Sequence, residues 1–150
     1  LNVGARLLFL MIFLGGIGNV VGGIASDHLG RRSVTFLSLL LSVPFFWGFA
    51  HYGLPWGYVL LAIGGLLAQM SVSVNIVQGQ EMLPSGPGIA SSLTMGAAWG
   101  VAGLCMPAVG WSVDRWGPAQ TLMWLPLLLV AAGFIALLVP DRPPEEARVP

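Results

Sequence analysis

The groups in this chain able to do chemistry are few and spaced in a repeating way. Gly23, Asp27, Gly30, Arg31 and Arg32 form a G-x-x-x-D-x-x-G-R-R run, and Gly110, Asp114, Arg115 and Gly117 repeat its G-x-x-x-D-x-x-G spacing. Their chemistry is electrostatic and conformational. A glycine lets two helices approach, an acid follows four residues later, and a second glycine supplies a left-handed residue that ends a helix. The acid, which leans toward burial, can sit against the positive N-terminal end of a neighbouring helix in one state and leave it in another. A third group lies between the two copies. Plotted at about 100° per residue, Gln69, Ser73 and Gln80 share one face of a helix, and Ser71, Asn75 and Gln78 share nearly the opposite one. No nucleophile–base pair, metal-ligand cluster or phosphate loop accompanies these groups, and Ser91 and Ser92 have no histidine near them in sequence. The reading is therefore of a protein that is not an enzyme, with no metal and no cofactor.

The elements that must position these groups are membrane helices. Of the 150 residues, 56% are hydrophobic and 8% charged, and the mean hydropathy is +0.85. A soluble domain carries charge on about a quarter of its residues. There is no lysine, and six arginines balance six acids, so no basic face exists for nucleic acid. Cys105 is the lone cysteine and reads as a small filler of an apolar helix. The first residue is Leu1, and the first apolar run lacks the features of a signal peptide, so the chain reads as a piece of a longer protein.

Crossing a hydrocarbon core takes about 20 helical residues. Five stretches qualify: Leu7 to Ala25, Val34 to Ala50, Trp56 to Gln80, Gly88 to Val113, and Ala119 to Val139. The predicted fold class is thus an all-α transmembrane helix bundle over 1–139, followed by a polar, proline-rich, disordered cytoplasmic tail over 140–150. Arg31 and Arg32 share a side with Arg142 and Arg148, against Arg6 and Arg115 on the other, which makes the first side cytoplasmic.

The first helix gathers Gly15, Gly18, Asn19, Gly22, Gly23 and Ser26 on one packing arc. Asn19 either bridges to another helix or lines a water-filled path. The second helix, with Pro44 near its centre and only hydroxyl side chains as polar groups, reads as a lipid-facing support. Trp47, His51, Tyr52 and Trp56 mark the outer interface. The amides on two faces of the third helix leave two readings open: a wet cavity on one side, or interhelical hydrogen bonds throughout. Glu81 reads as a solvated acid at the cytoplasmic boundary, with pairing to the arginines or gating of the path as alternatives. On the fourth helix Gly96, Gly100, Gly103, Pro107 and Gly110 make a close-packing stripe, and Ser91, Met95, Trp99 and Met106 run beside it as packing groups or adaptable substrate contacts.

The run from Gly23 to Arg32 between two membrane helices resembles the signature loop of the major facilitator superfamily of secondary transporters. His28 stands where that motif carries a basic residue after the aspartate. The second copy closes its helix on the opposite side, the pattern of an inverted repeat. The resemblance implies helices eight to twelve of a twelve-helix fold, with the N-terminal half of the same protein as a missing partner. Asn75-Ile-Val-Gln-Gly-Gln-Glu-Met-Leu-Pro, Gly88-Ile-Ala-Ser-Ser-Leu and Gly96-Ala-Ala-Trp-Gly further resemble the fosmidomycin-resistance-like efflux branch of bacteria.

That second resemblance implies a proton-driven exporter of small molecules or antibiotics in the inner membrane, with the lipid bilayer, a small-molecule substrate and protons as partners. The expected substrate path comprises Asn19, Gln69, Ser73, Asn75, Gln78, Gln80, Ser91, Met95 and Trp99, with Glu81 as a possible gate. No titratable residue lies in the central portion of any of the five helices, so proton coupling must use groups elsewhere in the protein. Uptake of a small metabolite on the same scaffold and a non-transport membrane module are the competing readings. Without a further partner helix, the packing faces of the first and fourth helices should lie partly uncovered.

Overall fold

The computed structural model describes residues 3–52 and 55–140. The predicted tail falls outside the described residues except for Pro140, as do Arg142 and Arg148. Five helices follow one another: α1 (Val3–Leu29), α2 (Arg31–Tyr52), α3 (Trp56–Met82), α4 (Pro87–Trp116) and α5 (Pro118–Ala136). All five are long and apolar enough to cross a membrane. With no strand among the described residues, this is an all-α transmembrane bundle of a multi-pass membrane protein. The helices overrun most of the predicted bounds because the polar flanks are helical too. Asp27 and His28 end α1, and Arg31 and Arg32 open α2.

Two glycines make the tight corners. Gly30 separates α1 from α2 and has φ 87°, and Gly117 separates α4 from α5 and has φ 84°. Each N–H donates to the carbonyl four residues back (Ser26, 3.1 Å; Val113, 2.8 Å), and each carbonyl accepts from the N–H four residues on (Val34, 3.2 Å; Thr121, 3.2 Å). A side chain at such a φ is strained, so glycine stands at both corners. The sequence repeat is therefore a repeat of backbone geometry. Because the chain reverses at each connection, the two copies lie at opposite ends of the bundle.

α3 is the centre of the packing, with α1 along one side, α2 along another, and α4 against it more sparsely; α5 lies mainly on α2. The α1–α3 seam is built on small residues. Gly18 lies on the backbone of Leu66, Gly22 on the backbone of Met70, and Gly15 under the Gln69 side chain; a Cβ at any of the three would collide. In a bilayer, where lipid is as apolar as leucine, such backbone approach is what dispersion attraction rewards. Gly23, expected to share this role, has nothing within 4 Å of where its Cβ would sit. One residue turns the helix by about 100°, which carries Gly23 off the seam.

The expectation for α2 is also corrected. It is held between α3 and α5 and buries Val34, Thr35, Ser38, Leu39, Ser42 and Val43, while Leu37, Leu41 and Trp47 remain exposed. Its buried hydroxyls turn back on the helix, Ser38 Oγ donating to the Thr35 carbonyl (3.1 Å) and Ser42 Oγ to that of Leu39 (2.7 Å). So satisfied, they behave as small packing residues. α4 is the least covered helix, with 6% of its apolar span buried, and Gly96, Gly100, Gly103 and Gly110 face open space. The outer face of α1, with Leu8, Phe9, Ile12 and Phe13, is exposed as well.

Candidate functional site

The charged residues of the first motif converge at one membrane boundary. Arg31, in the first turn of α2, sends Nη1 to Asp27 Oδ1 at 2.7 Å and Nη2 to Glu81 Oε1 at 3.0 Å. Nη1 also donates to Ser26 Oγ, whose hydroxyl donates to the Gly23 carbonyl at 2.8 Å. One guanidinium thus ties the end of α1, the start of α2 and the end of α3. The fork suits the task, since separate N–H groups reach two carboxylates at once.

Burial grades across the cluster: the side chains are 16% exposed at Arg31, 39% at Glu81 and 63% at Asp27. Two expectations change here. Asp27 is exposed, because Ser26 takes the buried seam position and the next residue points away. Glu81 is an ion-pair partner of Arg31 across 50 residues of chain and not a freely solvated acid. Arg32 is partly buried and His28 exposed beside the cluster.

The second motif shares the corner but not the charge pairing. Asp114 and Arg115 are both exposed, and among the described residues no ion pair joins either of them. The position after Gly117 explains the difference. There Pro118 stands where the first copy has Arg31.

The polar groups of α3 divide by neighbour. Toward α1, Ser73 Oγ donates to the Asn19 carbonyl at 2.8 Å, and Gln69 covers Gly15. Toward α4, Gln80 Nε2 donates to Ser91 Oγ at 2.6 Å, and that hydroxyl donates to the Pro87 carbonyl at 2.9 Å. On the other side, Thr35 Oγ1 of α2 donates to Asn75 Oδ1 at 3.5 Å, and Gln78 Nε2 donates to the Pro140 carbonyl beyond α5 at 3.1 Å. Ser71 Oγ turns back to the Ala68 carbonyl at 2.8 Å.

Gln78 is buried and Asn75 exposed, so the two amides of one stripe occupy different surroundings. Asn19 Oδ1 is buried with no hydrogen-bond partner among the described residues. On α4, Met95 and Trp99 follow Ser91 at four-residue intervals and are 43% and 75% exposed. A line of groups therefore runs from Gln80 through Ser91 to Met95 and Trp99, open on the face of α4 that none of the described residues covers.

Sequence reasoning missed the bond from Trp47 Nε1 to the Met123 carbonyl at 2.6 Å, which joins α2 to α5. Pro126, buried within α5, leaves the Leu122 carbonyl without its helical donor, and the tryptophan bond falls one residue further on, at Met123. A tryptophan facing a proline-interrupted helix was the one available signal.

The chain is 35% identical over 134 residues to the uncharacterized MFS-type transporter YfnC of Bacillus subtilis, an alignment covering 89% of this chain and 32% of that protein. It is 32% identical over 138 residues to the fosmidomycin resistance protein of Escherichia coli, covering 90% of this chain and 33% of the relative. A 26% identity over 159 residues links it to organic anion transporter 3 of the mouse, covering 91% and 25%. The chain therefore spans about one third of the length of the first two relatives. No protein-family profile and no solved structure matches it.

Proposed function

Because this chain belongs to the major facilitator superfamily, near its fosmidomycin-resistance branch, we propose that it forms the helix-eight-to-twelve part of a secondary transporter that exports small molecules or antibiotics in exchange for protons. The observation that carries the proposal is the Arg31 junction, which holds three helix ends together through acids that remain partly exposed. Exposed ion pairs are worth about 0–1 kcal/mol each. That is small enough to make and break within a conformational equilibrium of a few kcal/mol.

In this reading Asp27 and Arg31 form a latch at the cytoplasmic end, and Glu81 gates the path when it pairs with Arg31. Asn19, Gln69, Ser73, Asn75, Gln78 and Gln80, with Ser91, Met95 and Trp99, line the substrate path. Protons are handled by groups in the remaining part of the protein. The similarity to the fosmidomycin resistance protein of Escherichia coli supports an antibiotic as substrate.

The test uses the full-length parent protein. Export of a drug panel that includes fosmidomycin is followed with and without a protonophore, beside Asp27→Asn, Asn75→Ala and Gln78→Ala. Protonophore-sensitive export, lost in the α3 variants, is expected; Asp27→Asn is expected to lower transport at unchanged membrane insertion. If nothing is exported and the variants behave like the parent, drug efflux is wrong and uptake becomes the better reading. Equal loss of insertion and transport in Asp27→Asn would reduce Asp27 to a folding residue.

A further inference from the structure

Between α2 and α5, at the end of the bundle away from Arg31, lies an open groove of about 560 Å³. Its deep part is apolar, with Pro44, Gly48 and Leu127 among its walls, and its rim carries His51, Tyr52 and Gln120. At 1.5 Å per helical residue, the seven residues from Pro44 to His51 and from Gln120 to Leu127 each correspond to roughly 10 Å of depth. The Trp47–Met123 bond ties the two walls together, so the groove is braced rather than a gap between loose helices. The ring of His51 packs edge-on against Tyr52 (centroids 5.3 Å apart), which presents two polar-tipped rings side by side at the mouth.

Both walls are helices long and apolar enough to cross a membrane, so the groove lies at membrane depth. Its polarity runs as a lipid's does. The floor offers only hydrocarbon contact, while the rim, at the first turn of α5 and the last of α2, offers hydrogen-bond donors at headgroup level. We propose that this groove is a binding site for a bilayer phospholipid, with an acyl chain between α2 and α5 and the phosphodiester at His51 and Gln120. An acyl chain gains about 0.8 kcal/mol per buried CH₂ against water, but lipid already surrounds it in the bilayer. Selective retention therefore comes from the headgroup bonds and from the fit of the braced groove. The inference rests on the membrane location of the chain and is independent of the direction or substrate of transport.

The test is native mass spectrometry of the full-length protein, purified in detergent containing defined amounts of phosphatidylethanolamine and phosphatidylglycerol. The parent is expected to retain one phospholipid per protomer. H51L/Q120L, which removes the two side chains assigned to the phosphodiester and leaves Tyr52 in place, is expected to lower its occupancy about tenfold, the scale of a hydrogen bond to a charged group, and Leu127→Trp, which fills the tail groove, is expected to lower it as well. Leu104→Trp, on the exposed face of α4, serves as the control and is expected to retain the parent's occupancy. The proposal is overturned if both groove variants retain as much lipid as the parent, if the control loses as much as they do, or if a second protein copy occupies the groove in place of lipid. Thermal melting of each variant in the same detergent separates lost binding from lost folding.

Discussion

Arg31 donates to Glu81 at 3.0 Å although 50 residues and a complete passage out and back across the bundle separate them. The same guanidinium holds Asp27 at 2.7 Å, so the two acids share one partner. A double-mutant cycle of Arg31→Ala and Glu81→Gln should show a coupling of about 0.5–1 kcal/mol toward unfolding, the upper range for partly exposed pairs. Additive effects, measured by denaturation of the purified full-length protein, would mean the pair contributes nothing measurable.

Adjacent glycines of α1 should respond oppositely to the same methyl group. Gly22→Ala drives a Cβ into the Met70 backbone, which cannot move as a side chain can, and should cost about 1–3 kcal/mol as overpacking does. Gly23→Ala meets open space and should be neutral or stabilising by up to about 1 kcal/mol, the helix-propensity gain. Comparing the two melting temperatures checks the rotation of α1; a reversed order would refute it.

The corner glycines should tolerate no side chain even though Gly117 has empty space around its Cβ position. With φ 84° and ψ 160°, Gly117 occupies a region that is nearly reserved for glycine, and Gly117→Ala should cost about 1–3 kcal/mol. The loss comes from backbone strain, so Gly117→Ser should be as damaging as alanine. Thermal stability of the two variants distinguishes this from a packing effect, which would scale with side-chain size.

Asn19 presents the inverse case. Its buried Oδ1 lacks a donor, and a buried unsatisfied group costs about 1–3 kcal/mol. Asn19→Leu should therefore raise stability by about 1 kcal/mol while lowering transport, as expected where a polar group is kept for function. Reduced stability would show instead that another part of the full protein supplies a donor.

How far residue order reaches is visible at particular positions. The five membrane crossings were legible because hydropathy over about 20 residues is a local property, and the corners at Gly30 and Gly117 because a one-residue turn between helices selects glycine locally. The α1 packing arc was legible at Gly15, Gly18 and Gly22, yet Gly23 was wrongly included, since spacing alone does not define the rotation of a helix about its axis. The exposure of Asp27 and the burial of α2 were misread for the same reason.

By itself, then, the sequence determined an all-helical membrane chain, its turns, its repeated motif and its resemblance to a transporter family, all of which follow from short-range chemistry. Tertiary structure alone decided which partner each polar group found. Arg31 meets Glu81, Gln80 meets Ser91, Trp47 meets the Met123 carbonyl, and one face of α4 stays bare. Those outcomes depend on the rotation and offset of every helix at once, set by the close contact of Gly18 and Gly22 with α3 and by the bracing of α2 against α5.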